Sequence, residues 1–201
     1  MNEEINKIID VLSKGEIAIL PTDTVYGLTG DATSLKAIKL ANDIKKREKP
    51  QPLLILVSSI DMLKKYTKNI SDLELEVINK YWPNKLTILF EKNDLLSDEL
   101  TASSQYVGVR MPNNKLLLDI MNKYNKPLLS TSANIHSKDV ITKISLLENE
   151  MRDSVSYIYD AGELSTTAST LIKIENGKIK ILREGELASQ ILKDFESVIE
   201  K

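Results

Sequence analysis

Three short stretches concentrate the polar chemistry of this 201-residue chain. Pro21-Thr22-Asp23-Thr24-Val25-Tyr26-Gly27-Leu28 sets two hydroxyls and a carboxylate within three residues, directly after the apolar run Ile17-Ala18-Ile19-Leu20. An aromatic and a glycine follow them, where backbone can approach a ligand closely. Ser130-Thr131-Ser132-Ala133-Asn134 supplies three hydroxyls and an amide in five residues after Leu128-Leu129. Lys45, Lys46, Arg47 and Lys49 group cations ahead of Pro50-Gln51-Pro52, and Arg110 and Arg183 close two further apolar runs. Guanidinium and ammonium groups beside hydroxyls suit an anion, above all a phosphate chain in a partly dry site. Each stretch also has an ordinary reading. Thr, Asp and Ser cap turns, cations at a helix end complement its dipole, and a single arginine is usually a surface residue.

Composition narrows the options. The chain has no cysteine, which removes disulfides, thiolate nucleophiles and cysteine-ligated metals. His136 is the only histidine; it lies in a polar stretch and is read as solvated, so two-histidine metal motifs are excluded. Neither G-x-x-x-x-G-K-[ST] nor G-x-G-x-x-G occurs. The formal net charge of -2 argues against coating nucleic acid through the overall field, while leaving room for a local basic patch. The N-terminus does not resemble a signal peptide, and no apolar run approaches the ~20 residues of a membrane span, so the expected location is the cytoplasm.

Periodicity outlines the elements that must position these residues. Ile5, Ile8, Ile9 and Leu12 predict a helix stopped by Gly15, followed by a strand from Glu16 to Leu20. Helices are expected around Leu35–Ala41, Ile60–Tyr66 and Ser71–Tyr81, with a buried strand over Leu53–Val57. Leu86–Phe90 and Val107–Met111 read as strands separated by a polar loop, and a helix carries Leu117, Ile120 and Met121. Leu128-Leu129 is a short strand, Ser145–Met151 a helix and Ser156–Asp160 a strand. Asn176-Gly177 marks a hairpin between Ser169–Ile174 and Lys178–Arg183, and a last helix spans Glu186–Ile199. The expectation is one domain over residues 1–201, an α/β fold with a mixed parallel and antiparallel twisted sheet flanked by helices.

Taken together, the motifs resemble the YrdC/TsaC family of threonylcarbamoyl-AMP synthases over nearly the whole chain. The likeness runs through the stretch Pro21 to Leu28, Lys45-x-Arg47, Pro52-Leu53, Trp82-Pro83 and Leu86-Thr87. It continues through Val107-Gly108-Val109-Arg110-Met111-Pro112, Ser130 to Asn134, Ser169-Thr170 and Leu182-Arg183. The order and spacing of these pieces carry it.

The resemblance implies a YrdC-like fold and a nucleotidyltransferase that joins L-threonine, bicarbonate or carbon dioxide, and ATP into threonylcarbamoyl-AMP, releasing pyrophosphate, for tRNA modification. It implies threonine contacts from Thr24, Arg110, Ser132 and Ser169. It implies ATP contacts from Lys45, Arg47, Gln51, Thr101, Asn134, Thr142 and Arg183, with Lys45 and Arg47 offsetting charge as pyrophosphate leaves. Mg2+ would bridge phosphate oxygens, with no metal caged by the protein. Hand-off to a tRNA threonylcarbamoyl-transferase complex and contact with tRNA or double-stranded RNA follow from the same likeness, and no membrane partner does. The alternative is a double-stranded RNA or tRNA-binding module without catalysis. Gln51 stands where the family carries lysine or asparagine, Glu48 where it carries proline, and Asn84-Lys85 where it carries Gly-Pro. The chain also stops soon after its last helix, where longer members continue into a linker and a further domain.

Overall fold

The computed structural model describes residues 2–46, 49, 51–135, 139–164 and 167–200. Its frame is a nine-stranded sheet in the order β7-β1-β2-β6-β3-β5-β4-β8-β9. The strands are β1 (Ala18–Pro21), β2 (Tyr26–Asp31), β3 (Leu54–Leu56), β4 (Leu86–Glu91) and β5 (Tyr106–Arg110), then β6 (Leu128–Ser132), β7 (Tyr157–Ile158), β8 (Thr170–Glu175) and β9 (Lys178–Arg183). β3 with β5, β4 with β8 and β1 with β7 run parallel; the remaining neighbours are antiparallel. The expected mixed sheet is therefore present.

Local chemistry explains the helix boundaries. Helix α1 (Asn2–Ser13) turns Ile5, Ile8 and Leu12 into the core. Ser34 caps α2 (Leu35–Ile44) by accepting from Ala37 N at 3.3 Å. After α3 (Ile60–Tyr66), Ser71 and Glu74 form a reciprocal capping box on α4 (Asp72–Tyr81). A short helix, α5 (Asp98–Thr101), interrupts the expected polar loop after β4. Asn114 caps α6 (Lys115–Tyr124), and Asn125 ends it in the left-handed region at φ 56°. Two further short helices follow, α7 (Asn149–Asp153) and α8 (Ala188–Asp194).

Three expectations are corrected. Between the strand ending at Leu20 and the helix around Leu35–Ala41, where no further strand is expected, Tyr26–Asp31 forms β2, antiparallel to β1, so the motif is the tip of a hairpin. The expected helix over Ser145–Met151 is a 3-10 turn at Ile144–Leu146 followed by α7. The last helix is also shorter than its apolar spacing suggests, because after Asp194 the chain passes through Phe195 into a 3-10 turn and Ile199 bridges to Ile179 beside β9.

Strand alternation divides the sheet between two tasks. Ile55, Val109, Ile88 and Ile172 lie opposite one another across four strands and are fully buried in the core. The alternate row, which includes Leu54, Gly108, Leu89, Thr87 and Leu171, lines a cavity. One periodicity thus builds the core and the floor of the site.

Candidate active site

The cavity measures about 430 Å³. The hairpin tip contributes Thr22 and Thr24 to it, the end of β6 contributes Ser130 and Ser132, and β5 contributes Arg110. Thr87 of β4, Ser169 before β8 and Arg183 at the end of β9 complete the polar wall. Gly27 pairs with Ser132 across β2 and β6, and a Cβ there would stand 2.9 Å from Ser130 Oγ. The glycine keeps that hydroxyl free to face the cavity.

Within the tip, Thr22 Oγ1 accepts from the backbone N–H groups of Thr24 and Val25 at 3.0 and 3.2 Å and donates to Val25 O at 2.7 Å. Its single proton is thereby committed, so the 2.8 Å contact between the two threonine hydroxyls is donated by Thr24. Arg110 Nη1 in turn donates to Thr24 Oγ1 at 3.3 Å. Thr24 therefore offers its remaining lone pair to a donor. Arg110 is 4% exposed. Its Nη1 lies 3.5 Å from Asp23 Oδ1, and its Nε has no hydrogen-bond partner among the described residues. Burial pulls this guanidinium below its ordinary range, Asp23 opposing and Arg183 adding to the shift. A buried cation on a cavity wall matches a carboxylate in charge.

The rest of the polar wall is a chain of side chains. Arg183 Nε donates to Ser169 O at 3.1 Å and its Nη2 to Ser169 Oγ at 2.9 Å. Ser169 Oγ meets Thr87 Oγ1 at 2.9 Å. Gly185 lets the chain turn against this segment, since a Cβ there would fall 2.5 Å from Thr170 N and 2.6 Å from Ala168 O.

Lys45 sits differently from the expectation. Its side chain is buried at the C-cap of α2, where Nζ donates to Ser132 O at 2.8 Å, to Asn134 Oδ1 at 2.7 Å and to Asn134 O. Ser132 Oγ also bonds Asn134 Oδ1. The ammonium thus clamps the end of β6, and neither Lys45 nor Asn134 lines the cavity. Thr101 is buried with its hydroxyl donated to Ser104 O at 2.7 Å, outside the lining. Thr142 accepts through its carbonyl from Leu164 N at 2.9 Å, and Gln51 is exposed; neither lines the cavity. Arg47, the other half of Lys45-x-Arg47, lies outside the described residues, as does His136.

Of the expected site residues, the structure brings Thr24, Arg110, Ser132, Ser169 and Arg183 around one cavity. It adds Thr87, to which the sequence reading assigned no role beyond the Leu86-Thr87 motif. It also adds Tyr26. The Tyr26 hydroxyl donates to Gly162 O at 2.7 Å and accepts from Ala161 N at 2.8 Å, while Tyr26 N donates to Ile141 O at 3.2 Å. These bonds tie the hairpin to the segment that carries Val140 over the cavity.

A mixed sheet with helices against it and a hydroxyl-and-guanidinium cavity along one row of its strands defines an α/β small-molecule-binding protein. The family model described as Sua5/yciO/yrdC, telomere recombination, matches residues 10–185, and the chain belongs to that family. A relative from Methanocaldococcus jannaschii is 34% identical over 94% of this chain and 91% of its own length. The threonylcarbamoyl-AMP synthase of Pyrococcus abyssi is 29% identical over 94% of this chain. The solved structure of P. abyssi Sua5 complexed with L-threonine superposes with a TM-score of 0.93 at 26% identity, covering 100% of this chain and 60% of that one. The chain spans 55% of the length of the P. abyssi synthase.

Proposed function

We propose that this protein is a threonylcarbamoyl-AMP synthase: L-threonine, bicarbonate or carbon dioxide, and ATP give threonylcarbamoyl-AMP and pyrophosphate, supplying threonylcarbamoyladenosine modification of tRNA. The observation that carries the reading is the buried Arg110 on the cavity wall, whose Nη1 donates to Thr24 Oγ1 at 3.3 Å. Such a pair suits an amino acid, since the guanidinium takes the carboxylate and the Thr24 lone pair takes a proton from the amino group. The P. abyssi neighbour complexed with L-threonine supports that choice of ligand.

In the reaction, the threonine amine adds to carbon dioxide and loses a proton, giving a carbamate. A carbamate oxygen then attacks the α-phosphorus of ATP, and the bond to the β-phosphate oxygen breaks as pyrophosphate leaves. No protein nucleophile is needed; catalysis is positioning and charge stabilisation. Thr24, Arg110, Ser132 and Ser169 hold threonine. Arg183, beside them, faces the incoming phosphates, with Arg47 as the second cation. Gln51, Thr101 and Thr142 are assigned to ATP on the family likeness. Lys45 acts through Ser132 and Asn134, which it fixes in place.

Among the described residues no group of three or more His, Asp or Glu could hold a metal ion. Asp23, the carboxylate paired with the cavity residue Arg110, is already committed to that guanidinium and to Asn113 N. This donor set suits Mg2+ carried on the triphosphate, where it would neutralise phosphate charge. Among the described residues no helix is long and apolar enough to cross a membrane. We place the enzyme in the cytoplasm, passing its adenylate to a tRNA threonylcarbamoyl-transferase complex, with tRNA contact on the same route.

The test is pyrophosphate release from ATP and magnesium, with threonine and bicarbonate each present or omitted. Release that requires both supports the synthase. Release indifferent to threonine sinks it, and salt-sensitive RNA binding without turnover would instead support an RNA-binding module.

A further inference from the structure

Thr87 of β4 is 2% exposed and lines the cavity. Its hydroxyl meets Ser169 Oγ at 2.9 Å, and Ser169 Oγ already accepts from Arg183 Nη2 at 2.9 Å. A guanidinium donates only, so one of the two Ser169 lone pairs is filled. Neither hydroxyl has a further side-chain partner among the described residues. If Thr87 donates to Ser169, the second lone pair is filled as well, and the Ser169 proton must point away from both partners.

We propose that Thr87 is a positioning residue that makes Ser169 a one-directional donor, and that the Ser169 proton reads the carboxylate of the amino-acid substrate. The cavity favours the carboxylate over the substrate hydroxyl on electrostatic grounds. Arg110 and Arg183 both line the cavity and lie close enough to feel one another's charge, so the most negative group of the ligand belongs between them. A hydroxyl whose lone pairs both accept, one from a cation, is polarised into a stronger donor. Gly108 leaves room for the Thr87 methyl, since a Cβ there would stand 3.3 Å from Thr87 Cγ2. The methyl rests over Gly108 of β5, and the hydroxyl meets Ser169.

The proposal rests on the threonine reading, and one set of titrations separates the two. L-threonine binding is measured by calorimetry for the wild type, Thr87→Val, Thr87→Ser, Ser169→Ala and the double variant Thr87→Val/Ser169→Ala, with thermal melts as the folding check. Wild-type protein that does not bind L-threonine overturns the threonine reading itself. Given wild-type binding, Thr87→Val should weaken it about tenfold, the low end for losing a hydrogen bond to a charged group. Thr87→Ser should stay within about twofold, since it keeps the hydroxyl. The double variant should bind no more weakly than Ser169→Ala, because Thr87 acts only through Ser169. Additive losses overturn the proposal, as does unchanged affinity in a folded Thr87→Val. L-2-aminobutyrate, which keeps the carboxylate and lacks the hydroxyl, should show the same fold loss in Thr87→Val. A loss confined to L-threonine would move the contact to the side-chain hydroxyl and overturn the carboxylate assignment.

Discussion

Asp23 Oδ1 lies 3.5 Å from Arg110 Nη1 with both side chains at most 7% exposed, while Asp23 Oδ2 accepts from Asn113 N at 3.1 Å. One carboxylate thus holds the β1–β2 hairpin tip against the end of β5 and balances the cation that faces the cavity. The pair sets the distance between Thr24 and Arg110, on which the amino-acid reading depends.

Removing that countercharge should cost stability and leave the cation searching for an anion. Asp23→Asn keeps the shape and the Asn113 contact, so a loss of about 3 kcal/mol is expected, the low end for stripping one partner from a buried ion pair. Urea denaturation would measure it as a lower midpoint at unchanged slope. Saturating L-threonine should then raise the midpoint more in the variant than in the wild type, because the ligand carboxylate replaces the lost partner. Equal ligand shifts in the two proteins would show that the carboxylate does not reach Arg110.

Gly185 offers a separate handle on the Ser169 segment. An added Cβ would meet Thr170 N at 2.5 Å, Ala168 O at 2.6 Å and Ser169 C at 2.7 Å, all backbone and none able to rotate aside. Gly185→Ala should push the Ser169 segment out of line with Thr87 and Arg183, raising KM for threonine at least tenfold, on the scale of losing one charge-assisted hydrogen bond. A crystal structure of the variant should show Ser169 displaced. An unmoved Ser169 with normal KM would mean that the strand end yields more easily than its packing suggests.

Much of this was legible in the sequence where local chemistry decides the structure. Asn176 and Gly177 take φ of 52° and 70°, the two positive values an Asn-Gly hairpin needs, and β9 spans the residues its alternation indicates. The Ser71 cap likewise follows from residue types three apart. β2 escaped because Tyr26–Asp31 contains two glycines and an aspartate and is buried on both faces, so it has neither alternation nor propensity; partners on either side make it a strand. The site divides the same way. Arg110 and Ser169 were named from motifs and do line the cavity, whereas the role of Thr87 lies in a contact across 82 positions that no spacing reveals.

One contact should govern stability at both ends of the pH scale. Asp194 Oδ2 accepts from the Tyr81 hydroxyl at 2.8 Å and lies 2.9 Å from Lys80 Nζ, joining α8 to α4. Hydrogen bonds from Gln190, Lys80 and Tyr81 hold the Asp194 carboxyl down at about 2 instead of 3.8. A lowered folded pKa gives stability that is complete above about 4 and lost as pH falls toward 2. Burial, then the Asp194 carboxylate, pushes the Tyr81 phenol above its ordinary 10.0, so that contribution is complete below pH 10 and is lost above it. Thermal melts across pH should therefore slope at both ends, and Asp194→Asn should flatten both limbs. A variant that flattens only the acid limb would leave burial alone responsible for the tyrosine.

Lys45 distinguishes a clamp from a phosphate ligand. Its ammonium donates to Ser132 O and to Asn134 Oδ1, so Lys45→Met strips donors from acceptors at the end of β6. Ser132 O keeps its bond from Asn134 N and Asn134 Oδ1 its bond from Ser132 Oγ, so the variant loses the clamp without orphaning either acceptor, and Ser132 is loosened on the cavity wall. L-threonine affinity measured without ATP should therefore fall about tenfold, a loss no phosphate contact could cause. Arg47→Ala provides the contrast, with turnover expected to drop by about 10²–10³ as a transition-state donor is removed while threonine binding stays intact. Isothermal titration with threonine alone, followed by pyrophosphate release at saturating substrates, reads the two effects separately. Unchanged threonine affinity in a folded Lys45→Met would return Lys45 to a role at the phosphates.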